Sequence, residues 1–133
     1  MNHQDFIEEV QKRGGLSDSA DAERATRVVL EMLGEHLAGG EPNDLASQLP
    51  PELGQYLRRP DAGVGVSMER WDVYNMVSQR EGVDLPAAVR HARAVISVLR
   101  DAVTPGEWQD VLSQLPPDFE PLVGSGEGQV PSP

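Results

Sequence analysis

Apolar residues recur along this chain at spacings of three and four, in two passes that keep the same order. In the first pass Phe6 and Val10 stand four apart with Ile7 between them, which predicts one apolar helical face from Asp5 onward. Gly14-Gly15 should stop that helix, with Lys12 and Arg13 near the negative end of its dipole. Asp18 reads as the N-cap of a long helix over 19–37, with Asp21 in the first turn. Ala22, Ala25, Val29, Met32, Leu33 and Leu37 form its apolar stripe, and Arg24, Arg27, Glu31 and Glu35 lie off it. Gly39-Gly40 end it. A short helix around 43–48 follows, closed by Pro50-Pro51, because a residue before proline is pushed out of the helical region. Pro51 can then open a last turn whose Leu53, Tyr56 and Leu57 face one way.

Residues 58–66 have no helical period and contain Pro60, Gly63 and Gly65, which marks a linker. The order then repeats. Ser67 can cap a helix carrying Trp71, Tyr74 and Val77 and stopping at Gly82. Asp84 caps a second long helix, with Pro86 in its first turn and Ala88, Ala92, Val95 or Ile96, Leu99 and Val103 inward. Thr104-Pro105-Gly106-Glu107 reads as a capping box with proline at the first helical position. Pro121 interrupts the final apolar turn, which should be short or 3₁₀.

The two passes are copies. Ser47-Gln48-Leu49-Pro50-Pro51 returns as Ser113-Gln114-Leu115-Pro116-Pro117, at an offset of 66. The same offset relates Arg24 to Arg90, Arg27 to Arg93, Leu33 to Leu99, Glu41 to Glu107 and Asp44 to Asp110. Before Asp18 the offset is 67, relating Arg13 to Arg80 and Gly15 to Gly82. Each copy is about fifty residues, too few to bury much alone. The expected fold is therefore all-α: two tandem pseudo-symmetric helical repeats, 6–57 and 73–123, packed around one shared core in a single domain over 1–123. Residues 124–133 have nothing to bury and are expected to be a disordered tail.

Charge narrows the function classes. Across 133 residues there are 22 acids against 11 bases, a net charge of −11, divided evenly between the halves. Such a surface repels phosphate backbones and anionic lipid, so neither nucleic acid nor membrane is an expected partner. There is no cysteine, hence no disulfide framework and no thiolate metal site. Met1-Asn2-His3-Gln4-Asp5 lacks the basic start and apolar run of a secretory signal, and a cytoplasmic location is expected.

Candidate chemistry is sparse. No Gly-x-Ser-x-Gly, Walker or dinucleotide glycine pattern occurs, His3, His36 and His91 are not spaced as metal ligands, and no cofactor is expected. Glu41, Asp44, Glu107 and Asp110 could pair carboxylates on a helix face, but they lack the oxygen ladder a hard cation needs. First-turn residues favoured by the helix dipole are the simpler account of Glu41 and Glu107. Arg24, Arg27, Arg90 and Arg93, with His91 read as a partly exposed helix histidine, form the candidate polar interface or anion site. These arginines either bridge helices by pairing with Glu41, Asp44, Glu107 and Asp110, or ring a pocket for an anion or acidic partner.

The chain resembles a bacterial family known as domain of unknown function 2267. The resemblance lies in Arg24 to Glu31 running through Gly39-Gly40-Glu41 to Asp44 and Pro50, and again in Arg90 to Val95 through Gly106-Glu107 to Asp110 and Pro116. It implies an all-helical, internally duplicated bacterial protein and assigns no activity. The expected function is that of a non-enzymatic helical protein-interaction module, a monomer or weak homodimer whose open partner class is another protein. The alternative is a small-molecule or anion binder at the interface between the repeats. The charge makes one expectation measurable: no complex with duplex DNA at physiological salt, with a micromolar or tighter band in a gel-shift titration as the contrary result.

Overall fold

The computed structural model describes residues 1–59, 62–65 and 69–115, apart from the Arg70 side chain, and its regular structure is all helical. Among these residues the helices are α1 His3–Gly14, α2 Ser19–His36, α3 Glu41–Ala46, α4 Pro51–Leu57, α5 Arg70–Glu81, α6 Leu85–Ala102 and α7 Pro105–Gln114. No strand occurs among the described residues; Ala38 makes isolated bridges to Gly63 and Val64. None of the described helices is long and apolar enough to cross a membrane. Pro116-Pro117, the turn expected at Pro121 and the tail over 124–133 lie outside the described residues.

Local chemistry accounts for most of the boundaries. Asp18 accepts the Asp21 N–H at 2.8 Å and Asp84 accepts that of Ala87 at 2.9 Å, so both long helices start at the expected caps. Gly15 and Gly82 sit at φ 65° and 74°, the left-handed conformation that ends α1 and α5 without a Cβ penalty. α1 begins ahead of Asp5 because Asn2 caps it, accepting the Asp5 N–H at 2.8 Å. α3 covers Glu41–Ala46 rather than 43–48, with Pro42 in its first turn, where its missing N–H costs nothing. The expected cap at Ser67 lies outside the described residues; Glu69 takes the cap position, and Asp72 reaches back to its N–H at 3.0 Å.

α2 and α6, 18 residues each, touch one another and are flanked by the shorter helices. α1 packs on both α2 and α6, and α5 likewise on both α6 and α2. α4 covers α2 and α3, and α3 meets α7. One buried cluster joins them all, from Phe6 and Val10 through Leu30, Leu33, Leu45, Leu53 and Leu57 to Tyr74, Val77, Leu99 and Val111. Each such side chain contributes about 1.5–3 kcal/mol relative to exposure. Two ion pairs tie the flanking helices across: Arg13 to Asp101 at 2.9 Å, and Arg80 to Glu35 through bonds of 2.7 and 3.2 Å.

The expected linker is pinned rather than loose where it is described. Gly63 donates to the Gly34 carbonyl at 3.1 Å and accepts the Gly39 N–H at 3.0 Å, which folds 62–65 back on the end of α2. Gly63 has φ 83°, and a Cβ there would lie 2.5 Å from the Gly39 carbonyl oxygen. Gly63→Ala should therefore lower unfolding stability by about 1–3 kcal/mol. Gly106→Ala, in the first turn of α7 with open space around it, should be neutral or stabilising by up to about 1 kcal/mol. Urea unfolding of the two variants beside the parent measures both.

Candidate functional site

α3 and α7 carry their acids at the start, where the helix dipole favours them, and their apolar residues toward the core. Burying Leu45 and Ala46 on one side and Trp108 and Val111 on the other draws the two helices together and takes Glu41 and Glu107 with them. Both glutamates end only 8 % exposed, facing each other. Burial pushes the Glu41 carboxyl up to about 8, helped first by its hydrogen bond to Glu107 and by that group's charge, then by Asp110 and Asp44. Buried in such contact with another acid, Glu41 cannot ionise cheaply and keeps its proton at neutral pH. Glu41 Oε1 and Glu107 Oε2 are buried without a hydrogen-bond partner among the described residues.

The repeated Ser-Gln-Leu-Pro-Pro stretch acts at the same seam. Gln48 accepts the Thr104 N–H at 2.8 Å through Oε1 and donates to Thr104 Oγ1 at 3.2 Å. Gln114 accepts the Ala38 N–H at 2.7 Å, and Ala38 stands 66 residues before Thr104 as Gln48 stands 66 before Gln114. Each glutamine thus caps backbone belonging to the other copy. Thr104 does accept the Glu107 N–H, at 3.2 Å, as a capping box requires. The return bond expected from the Glu107 side chain comes instead from Gln48, which leaves Glu107 to turn inward. Ser47 and Ser113 bond the carbonyls of Asp44 and Asp110 at 2.6 and 2.7 Å, closing both turns alike.

Arg24 and Arg27 find their partners away from these acids. Arg24 is exposed and pairs with Asp21 at 2.7 Å, one turn away on its own helix. Arg27 pairs with Glu31 at 3.6 Å, as i, i+4 spacing allows. Arg90 is exposed on α6. Such surface pairs are worth about 1 kcal/mol or less, so Arg24 is not the interhelical tie it could have been. Arg93 is buried, and burial pulls its guanidinium below its ordinary value while Tyr74 opposes the shift. Asp44 and Asp110 stay exposed at the rim of the seam.

His91 corrects the expectation of partial exposure. It is 7 % exposed, and its Nδ1 lies 2.7 Å from Oε2 of Glu81, whose side chain is 1 % exposed. Glu81, the last residue of α5, was no sequence candidate; its partner sits ten residues on, across the α5–α6 turn. His36 Nε2 bonds the Gln114 carbonyl at 3.1 Å, adding to the seam. His3 and Tyr56 both reach Glu23, at 2.7 and 2.9 Å, a chain linking α1, α2 and α4. The signal that could have revealed the seam was the retention of Gln48/Gln114 and Glu41/Glu107 in both copies, polar residues that solvation alone does not preserve.

Chemically, the site is a buried, protonated Glu41 set against Glu107, with an acidic rim. Among the described residues no group of three or more His, Asp or Glu side chains is arranged to hold a metal ion. The sign of its pH dependence follows from linkage. Between the ordinary 4.5 and about 8, the folded protein keeps a proton that the unfolded chain has lost. The contribution of Glu41 is therefore intact below about 4.5, declines as pH rises through that window and stays low above 8. Glu41→Gln, which keeps a donor to Glu107 without the charge, should melt about 5 °C or more above the parent at pH 8.5 and close to it at pH 5. Thermal melts at the two pH values measure the difference.

No curated protein matches the chain. A family model described as an uncharacterised conserved protein, DUF2267, matches residues 3–122, which spans every helix described above and both copies of the repeated stretch. The chain therefore belongs to the DUF2267 family.

Proposed function

We propose that this is a non-enzymatic interaction module of the bacterial cytoplasm, a monomer or weak homodimer that offers the acidic rim of the α3–α7 seam to a basic segment of a protein partner. The observation that carries this is the gathering of Glu41, Asp44, Glu107 and Asp110 around one seam, where, among the described residues, the charges acting on Glu41 are those of the other three acids. Exposed Asp44 and Asp110 leave that potential open to a cationic partner. The two halves, on the same reading, are tandem repeats about a pseudo-twofold axis through the α2–α6 and α3–α7 contacts. Its support is that cross-contacts come in pairs: Arg13–Asp101 with Arg80–Glu35, and Gln48–Thr104 with Gln114–Ala38. Residues on such an axis meet their own counterparts, as Glu41 meets Glu107.

The alternative, an anion pocket ringed by Arg24, Arg90 and His91, has less in its favour. Arg24 is engaged by Asp21, and His91 lies against Glu81. Affinity capture from the cell extract with the parent and with an Asp44→Asn/Asp110→Asn double variant tests the acidic rim. A protein retained by the parent, released by added salt and lost from the variant is expected. No retained protein, or equal retention by both, overturns the proposal.

A further inference from the structure

The α3–α7 contact has a second consequence, which needs no partner. We infer that this seam is a proton latch, closed while Glu41 keeps the proton that bonds it to Glu107 and opened locally when Glu41 ionises. The two glutamates arrive on short helices of 6 and 10 residues, whereas the central α2 and α6 have 18 each and are clasped on several sides. Strain placed between α3 and α7 is therefore relieved most cheaply by parting those two, not by disturbing the long helices.

Among the described residues, the groups that act on Glu41 include no cation. From α3 itself comes Asp44, and from α7 come Glu107 and Asp110. On α4 the acid is Glu52, which is exposed, and Tyr56 is occupied by Glu23. Arg58, just past α4, is turned to the Asn43 side chain at 2.8 Å, and Arg59 to Glu31 at 2.7 Å. His36 at the end of α2 bonds the Gln114 carbonyl. Among the described residues neither Glu41 nor Glu107 has a basic partner, and each keeps a buried oxygen with no bond. Removing the Glu41 proton leaves two anions in contact, with two further acids close by and little water to screen them.

What opening would release is apolar. Leu45 and Val111 are 0 % exposed and Trp108 7 %, so parting the helices would bare a hydrophobic strip beside the acidic rim. The glutamine bonds to Thr104 and Ala38 do not titrate and should act as hinges, keeping the opening local.

Hydrogen exchange of the isolated chain, followed by mass spectrometry from pH 5.5 to 9 and corrected for intrinsic rates, tests the latch. The opening constant for amides in 41–46 and 105–114 should rise close to tenfold per pH unit up to about 7.5 and flatten above 8, as one-proton linkage requires. Amides in the middle of α2 and α6 should not follow. Glu41→Gln and Glu107→Gln should each flatten the rise. In a Trp71→Phe background, acrylamide quenching of Trp108 should strengthen over the same range. Protection independent of pH in the parent, or a loss shared equally by α2 and α6, overturns the latch. Either result leaves the acidic-rim reading standing, since that rests on capture of a partner.

Discussion

A unit of about fifty residues buries little apolar surface by itself, so covering the stripe of an 18-residue amphipathic helix from within it leaves a marginal core. The chain meets this constraint by sharing cover. α1 lies on α6 as well as on its neighbour α2, and α5 lies on α2 as well as on α6. Neither half completes its interior without the other, which is why one cluster of buried residues runs from Phe6 to Val111. The ion pairs Arg13–Asp101 and Arg80–Glu35 sit on these crossings. They are partly exposed and add little energy, but they select one alignment of the flanking helices over others.

Sharing cover also dictates what happens at the ends of the long helices. α3 and α7 follow α2 and α6 directly, so bringing the long helices side by side brings the short ones together. Their first-turn glutamates, harmless at the start of an isolated helix, then become neighbours in a place water reaches poorly. A protonated Glu41 is the accommodation. Stability and proton occupancy are joined there, whereas the other described acids, Glu81 apart, are at least partly exposed.

The His91–Glu81 contact has a different character. It ties α6 to the end of α5 within one half, with both partners buried, and its copy-one positions are Ala25 and Gly14. Gly14 instead lets α6 approach: a Cβ there would lie 3.3 Å from that of Ala94. At these matching sequence positions one half uses a polar pair and the other close backbone packing.

Much of the fold was legible in sequence because it is encoded locally. Asp18 and Asp84 as caps, Gly15 and Gly82 as stops, Pro51 and Pro105 as first-turn residues, and the apolar stripes of α2 and α6 all depend on residues within a turn or two. The offset of 66 also made the recurrence of residues along the chain visible. The site was not legible in the same way. That Glu41 would face Glu107 rather than an arginine, that Gln48 would replace Glu107 at the Thr104 N–H, and that His91 would find Glu81 all depend on how helices lie against one another. Arg24 and Arg27 took partners on their own helix because i, i+3 and i, i+4 neighbours are already within reach, while Glu41 and Glu107 were drawn inward by the apolar residues beside them. Periodicity specifies which face of a helix is buried; what that face meets is decided by the packing of all seven described helices together.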